Sequence, residues 1–113
     1  MRNFSFLLIV AIIGLYSCSQ PCAFHRGVTV AFYNMENLFD TINDPNKLDD
    51  EFLPSSEKNW NTERYLKKLN DLGQVISSIQ DGSFPILTGV CEIENDKVLN
   101  DLISVPGLKK ANY

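Results

Sequence analysis

Two apolar runs end abruptly in polar side chains, and a long amphipathic stretch separates them. Residues 28–34 read as a strand, with Val28, Val30 and Phe32 on one side and Thr29, Ala31 and Tyr33 on the other. Both sides are largely apolar, which suits an interior strand covered on both faces. The β-branched and aromatic content agrees. The run stops at Asn34, Glu36 and Asn37, and residues 35–40 are expected to begin a short helical turn. That turn would pack Leu38 and Phe39 down and leave Glu36, Asn37 and Asp40 accessible. Residues 84–92 form the second apolar run, expected to be buried on both faces, and end at Glu92, Glu94 and Asn95. Gly89 within it suggests the close approach of a neighbouring backbone.

Between the runs, residues 43–51 form a polar loop with Asp44-Pro45-Asn46 turn chemistry. Its four acids, Asp44, Asp49, Asp50 and Glu51, lack the glycine and alternating ligands of a hand-type calcium loop, so a solvated acidic loop is expected. Trp60 anchors the loop. Asn61 then suits a helix N-cap, with Glu63 in the first turn matching the helix dipole. Tyr65, Leu69, Leu72, Ile76 and Ile79 recur at spacings of four, three, four and three, one apolar stripe. Gly73 interrupts this helix without ending it. It is expected to run to about Gln80, with Asp81-Gly82 as its stop. Lys67 and Lys68 lie off the stripe and read as a solvated face. Asn95 or Asp96 caps a second helix, whose apolar face is Val98, Leu99, Leu102 and Ile103, and Pro106-Gly107 ends it. The order is strand, loop, helix, strand, helix, an α/β arrangement. A crossover of this kind usually sets its strands parallel, so both polar clusters emerge at one sheet edge.

The beginning of the chain reads differently. Arg2 precedes a nearly unbroken apolar run over residues 4–16, too short for a comfortable membrane span and suited to a secretory signal. Leu15-Tyr16-Ser17-Cys18 resembles the lipobox of bacterial lipoproteins, in which Cys18 would carry the lipid. Residues 1–17 are thus expected as a lipoprotein signal peptide, 18–27 as a tether and 28–113 as the folded part. A lipid anchor at Cys18 would place the chain in the bacterial cell envelope. An ordinary cleaved signal and an uncleaved anchor are the alternatives. Cys22 lies in the tether. A disulfide to Cys91 is open to it in an oxidising compartment, although a buried free thiol at Cys91 is the preferred reading. His25, the one histidine, reads as a solvated tether residue. The net charge of −4 and the absence of a basic run argue against a general electrostatic grip on nucleic acid.

Chemistry is expected where the strands end. Mg²⁺ takes oxygen ligands, keeps several waters, and is typically held by one or two carboxylates plus substrate phosphate. Glu92 supplies a carboxylate, and Asn34 supplies a neutral amide able to orient it or a phosphate oxygen.

The stretch Phe32-Tyr33-Asn34-Met35-Glu36-Asn37-Leu38-Phe39-Asp40 resembles the opening motif of the endonuclease/exonuclease/phosphatase superfamily, the deoxyribonuclease I-like fold, and in particular its bacterial branch. Gly89-Val90-Cys91-Glu92-Ile93-Glu94-Asn95 is similar to that family's second motif, where the carboxylate after a strand holds the metal. Trp60, Arg64-Tyr65 and Lys68-Leu69 also look like that branch. The resemblance covers residues 28–103. It implies a two-sheet sandwich with outer helices, of which these residues would be the N-terminal portion. It implies a phosphoester substrate, with DNA, RNA, inositol phosphates and sphingolipids all in the family's range, and no protein partner. Carried over by motif, Asn34 binds phosphate or orients the site, and Glu92 binds Mg²⁺ or Mn²⁺. Glu36 and Asn37 are the next candidates for support, while Glu94 and Asn95 are mostly structural. The family's general base is a late histidine paired with an aspartate, and no histidine follows His25 here. The chain alone is therefore expected to be inactive or nearly so, the front part of a fuller enzyme. A non-catalytic binding module and a non-functional gene fragment are the competing readings. Two strands alone would also leave sheet edges and apolar faces uncovered.

Overall fold

The computed structural model describes residues 27–113. The expected signal peptide, Cys18, Cys22, His25 and the tether up to residue 26 lie outside the described residues. Strand β1 (Val30–Leu38) and strand β2 (Leu87–Ile93) pair in parallel as a two-stranded sheet. Helix α1 (Thr62–Ser77) lies between them in sequence, after a loop with a single 3-10 turn at Asp50–Phe52, and helix α2 (Asp96–Ser104) follows β2. The expected order and the parallel pairing are both found. Among the described residues no helix is long and apolar enough to cross a membrane.

The helices form where caps and periodicity call for them. Asn61 Oδ1 accepts the backbone N–H of Arg64 at 3.0 Å, and Asn95 Oδ1 accepts that of Val98 at 2.9 Å. Each bond satisfies a donor that a helix start would otherwise leave open. Helix α1 stops three residues before Gln80. The Ser77 and Ser78 hydroxyls donate to the carbonyls of Gln74 and Val75, taking last-turn acceptors and loosening the ladder there. Ile79 therefore lies beyond the helix and is 40% exposed. Gly73 sits mid-helix because the turn after α2 lies against it: a Cβ at that position would fall 2.5 Å from a Val105 methyl carbon.

The core lies on one side of the sheet. Tyr65, Leu69, Leu72 and Ile76 of α1 meet Val98 and Leu102 of α2, with Val105 and Leu108 beyond it and Met35 and Leu38 from β1. Trp60 closes one end, its indole N–H donating to the Phe39 carbonyl at 3.0 Å. Removing a buried Leu or Ile side chain from water contributes about 1.5–3 kcal/mol, so these few residues carry most of the stability.

Neither strand is buried on both faces, in contrast to the reading of their apolar runs. Tyr33 and Val90 pack against the core, while Val30, Phe32 and Leu87 are 63%, 74% and 60% exposed. The helices cover one face, and nothing among the described residues covers the other. A second sheet, implied by the resemblance for the complete fold, is not among them. Gly89 serves a different neighbour from the one expected. It pairs with Phe32 in register, and a Cβ there would lie 2.7 Å from the Phe32 ring, so an aromatic side chain occupies the gap.

Truncating Leu69, which is 2% exposed, should destabilise the fold by about 3 kcal/mol, the usual order for a buried Leu→Ala change. Urea unfolding of Leu69→Ala beside the unmodified chain measures it. A cost below about 1 kcal/mol would mean the helix face is not the core.

Candidate active site

The polar end of β1 is built on a bulge. Val30 through Asn34 pair one-to-one with Leu87 through Cys91, and the next pair is Leu38 with Ile93. Four steps along β1 thus match two along β2. The surplus is taken up at Glu36 and Asn37, whose φ angles are 51° and 57°, and Glu92 opposite has a φ of 55°. Side-chain-bearing residues rarely adopt this left-handed region, and such bulges re-aim side chains beside functional sites. The helical turn expected over residues 35–40 therefore does not form. The strand continues through the irregularity to Leu38, which returns to the core fully buried.

Two side chains hold the bulge. Asn34 Oδ1 accepts the backbone N–H of Glu36 at 2.7 Å, a local turn typical of Asn. From α1, the Lys68 ammonium donates to the Glu36 carbonyl at 2.6 Å and to the Asn37 carbonyl at 3.1 Å. These bonds replace partners that the bulged backbone has lost from the ladder. Burial pulls the Lys68 ammonium below the ordinary lysine pKa, against the opposing pull of the Glu36 and Glu92 carboxylates. Lys68 is therefore half-buried against the bulge, in contrast to the solvated face expected of it. The signal lay in its spacing: three residues after Tyr65 and four before Leu72, it borders the buried stripe. Lys67, by contrast, points to Asp71.

The bulge brings the two strand ends into contact. Asn34 Nδ2 donates to Glu92 Oε1 at 2.7 Å. Because the Glu36 N–H fixes Asn34 Oδ1, the amide nitrogen is the end presented to Glu92. Both residues are exposed. Glu36 and Asn37 also lie at this rim, where their backbone carbonyls serve Lys68.

Behind the rim the chain is tied by buried carboxylates. The Glu94 N–H donates to the Leu38 carbonyl, and Glu94 Oε2 accepts the Asp40 N–H at 2.9 Å. Asp40 Oδ1 accepts the Ile42 N–H, and its Oδ2 lies 3.3 Å from the Lys97 ammonium. Glu94 is structural, as expected. Asp40, expected to be accessible, is only 6% exposed because it is consumed by these bonds. The Lys97 ammonium holds the Asp101 carboxyl below the usual carboxylate range, and that carboxylate accepts the Tyr65 hydroxyl at 2.8 Å. Burial, then that hydrogen bond, pushes the Tyr65 phenol above its ordinary value. In the acidic loop, Asp49 is buried rather than solvated, and its Oδ2 accepts the Asp44 N–H. Cys91 has no disulfide partner among the described residues and is half-buried rather than fully buried.

A family model described as the Endonuclease/Exonuclease/phosphatase family matches residues 29–113. The chain belongs to this family. No curated protein and no solved structure matches it. Membership in the endonuclease/exonuclease/phosphatase family indicates phosphoesterase or nuclease chemistry, and its members are generally divalent-metal dependent. The matched residues include Asn34, Glu36, Asn37, Glu92 and Lys68. Among the described residues no group of three or more His, Cys, Asp or Glu side chains stands close enough to cage a metal ion.

Asn34→Asp would set two carboxylates against each other where an amide now bridges. One of the pair should then titrate at least about one pH unit above the ordinary carboxylate range. Carbon-detected NMR titration of the side-chain carboxyls reads this directly. Two ordinary titrations would show that the contact does not persist in solution.

Proposed function

We propose that these residues supply the metal- and phosphate-binding part of a divalent-metal-dependent phosphoesterase acting on a phosphodiester or phosphomonoester. Nucleic acid is one candidate substrate. In this reading Glu92 holds Mg²⁺ or Mn²⁺, and Asn34 orients that carboxylate and a phosphate oxygen. The observation that carries the reading is the 2.7 Å bond between Asn34 and Glu92 across the two strand ends.

The donor set suits a hydrated hard cation. Glu92 uses Oε1 toward Asn34, and its Oε2 makes no hydrogen bond among the described residues. One carboxylate and a neutral amide are a small set, of the kind that leaves Mg²⁺ its waters and substrate oxygens. When bound, the ion supplies Lewis-acid stabilisation of charge on the phosphate. The chain's own part is orientation. The Glu36 N–H locks the Asn34 amide, the amide steers Glu92, and the bulge holds both at the exposed rim. A residue held in advance of substrate spends no binding energy on being ordered. Residues 27–113 contain no histidine, so a general base of that kind does not come from them, and little turnover is expected from them alone. A lipid anchor at Cys18 and a place in the bacterial cell envelope belong to the same proposal.

Metal binding is the direct test. Glu92→Gln should weaken Mn²⁺ binding, followed by electron paramagnetic resonance, at least about tenfold with an unchanged far-ultraviolet circular dichroism spectrum. Mn²⁺ affinity equal to that of the unmodified chain would remove Glu92 as the ligand.

A further inference from the structure

We propose that Lys68 is a positioning residue for this site, its ammonium clasping the bulge and thereby holding the Asn34 amide against Glu92. The inference rests on the reading of Glu92 as the metal-binding carboxylate.

The bonds form one continuous path. Lys68 Nζ donates to the carbonyls of Glu36 and Asn37, the two residues of β1 with left-handed backbone. The Glu36 N–H donates to Asn34 Oδ1, and Asn34 Nδ2 donates to Glu92 Oε1. Glu36 is neither glycine nor asparagine, so its left-handed backbone is disfavoured on its own and persists only where surrounding contacts impose it. Lys68 is the contact that reaches it from outside the strand.

Its other surroundings fit a fixed strut rather than a solvated side chain. Lys68 rides on α1 between the buried residues Tyr65 and Leu72. Its ammonium lies 5.5 Å from the centre of the Trp60 ring, which Arg64 also faces at 5.5 Å. The neighbouring lysines on exposed ground pair with carboxylates, Lys67 with Asp71 and Lys58 with Glu51. Lys68 makes no ion pair within 4.0 Å among the described residues and spends its donors on the two carbonyls. A positive charge near Glu92 opposes a bound cation, so loss of the Lys68 charge by itself would tighten Mn²⁺, and a weakened affinity in its absence reads the lost clasp.

The test compares Lys68→Met with the unmodified chain by two readouts. Amide hydrogen exchange in the metal-free chain should quicken at least about tenfold at Glu36 while the α1 amides keep their protection. The Mn²⁺ dissociation constant should rise about tenfold to a hundredfold, the usual effect of losing an outer partner of a ligand. Unchanged exchange at Glu36 would overturn the clasp whatever the metal does. Unchanged Mn²⁺ affinity in Lys68→Met, where Glu92→Gln weakens it, would overturn the link from clasp to site. If Glu92→Gln itself binds Mn²⁺ normally, the metal-ligand reading fails, and with it the positioning role. Should Lys68→Met fail to fold, Lys68→Gln carries the same readouts, and unmodified values in it overturn the proposal equally.

Discussion

Parallel pairing of β1 with β2 is the constraint on which the site depends. Parallel strands end at the same edge, so residues 58 positions apart in sequence, Asn34 and Glu92, reach one place without a long loop having to carry either. The amphipathic helix between them makes this pairing possible, because its buried stripe presses the crossover onto the sheet. Fold and site therefore share a cause. The Tyr65–Ile76 stripe both supplies the core and fixes the level at which the strand ends emerge.

Pairing alone would leave Asn34 opposite Cys91 and Glu92 one step beyond. The bulge converts that near miss into contact. It does so with three side-chain-bearing residues in left-handed backbone, Glu36, Asn37 and Glu92, clustered across two neighbouring strands. Local strain of this kind is tolerated when surrounding bonds over-determine it. Here the bonds come from a turn-forming Asn within the strand, a lysine from the helix and the Glu94–Asp40 tie just downstream. The bulge is held because several weak preferences agree on it.

Much of this was legible in the sequence, and the rest was not for identifiable reasons. Spacing exposed the α1 stripe and the caps at Asn61 and Asn95, because helix periodicity and cap chemistry are local. The meeting of Asn34 with Glu92 followed from topology. The bulge was not legible, since Glu36 and Asn37 carry no glycine to announce a positive φ, and the conformation is imposed by contacts from α1. Lys68 was missed for the same reason, and Asp40 and Asp49 because a buried acid and a solvated one look alike until their backbone donors are located. The strands' apolar runs indicated two covered faces, whereas coverage depends on which layers are present.

The chain's single tryptophan lies within this arrangement. Trp60 is 9% exposed, meets the Phe52 ring edge-on, and has the Lys68 and Arg64 cations near its own ring. Indole emission responds to nearby charge and to water, and no second tryptophan contributes background. The protein thus carries a built-in optical reporter whose colour and intensity follow the lysine beside the bulged rim, readable in a cuvette without any label.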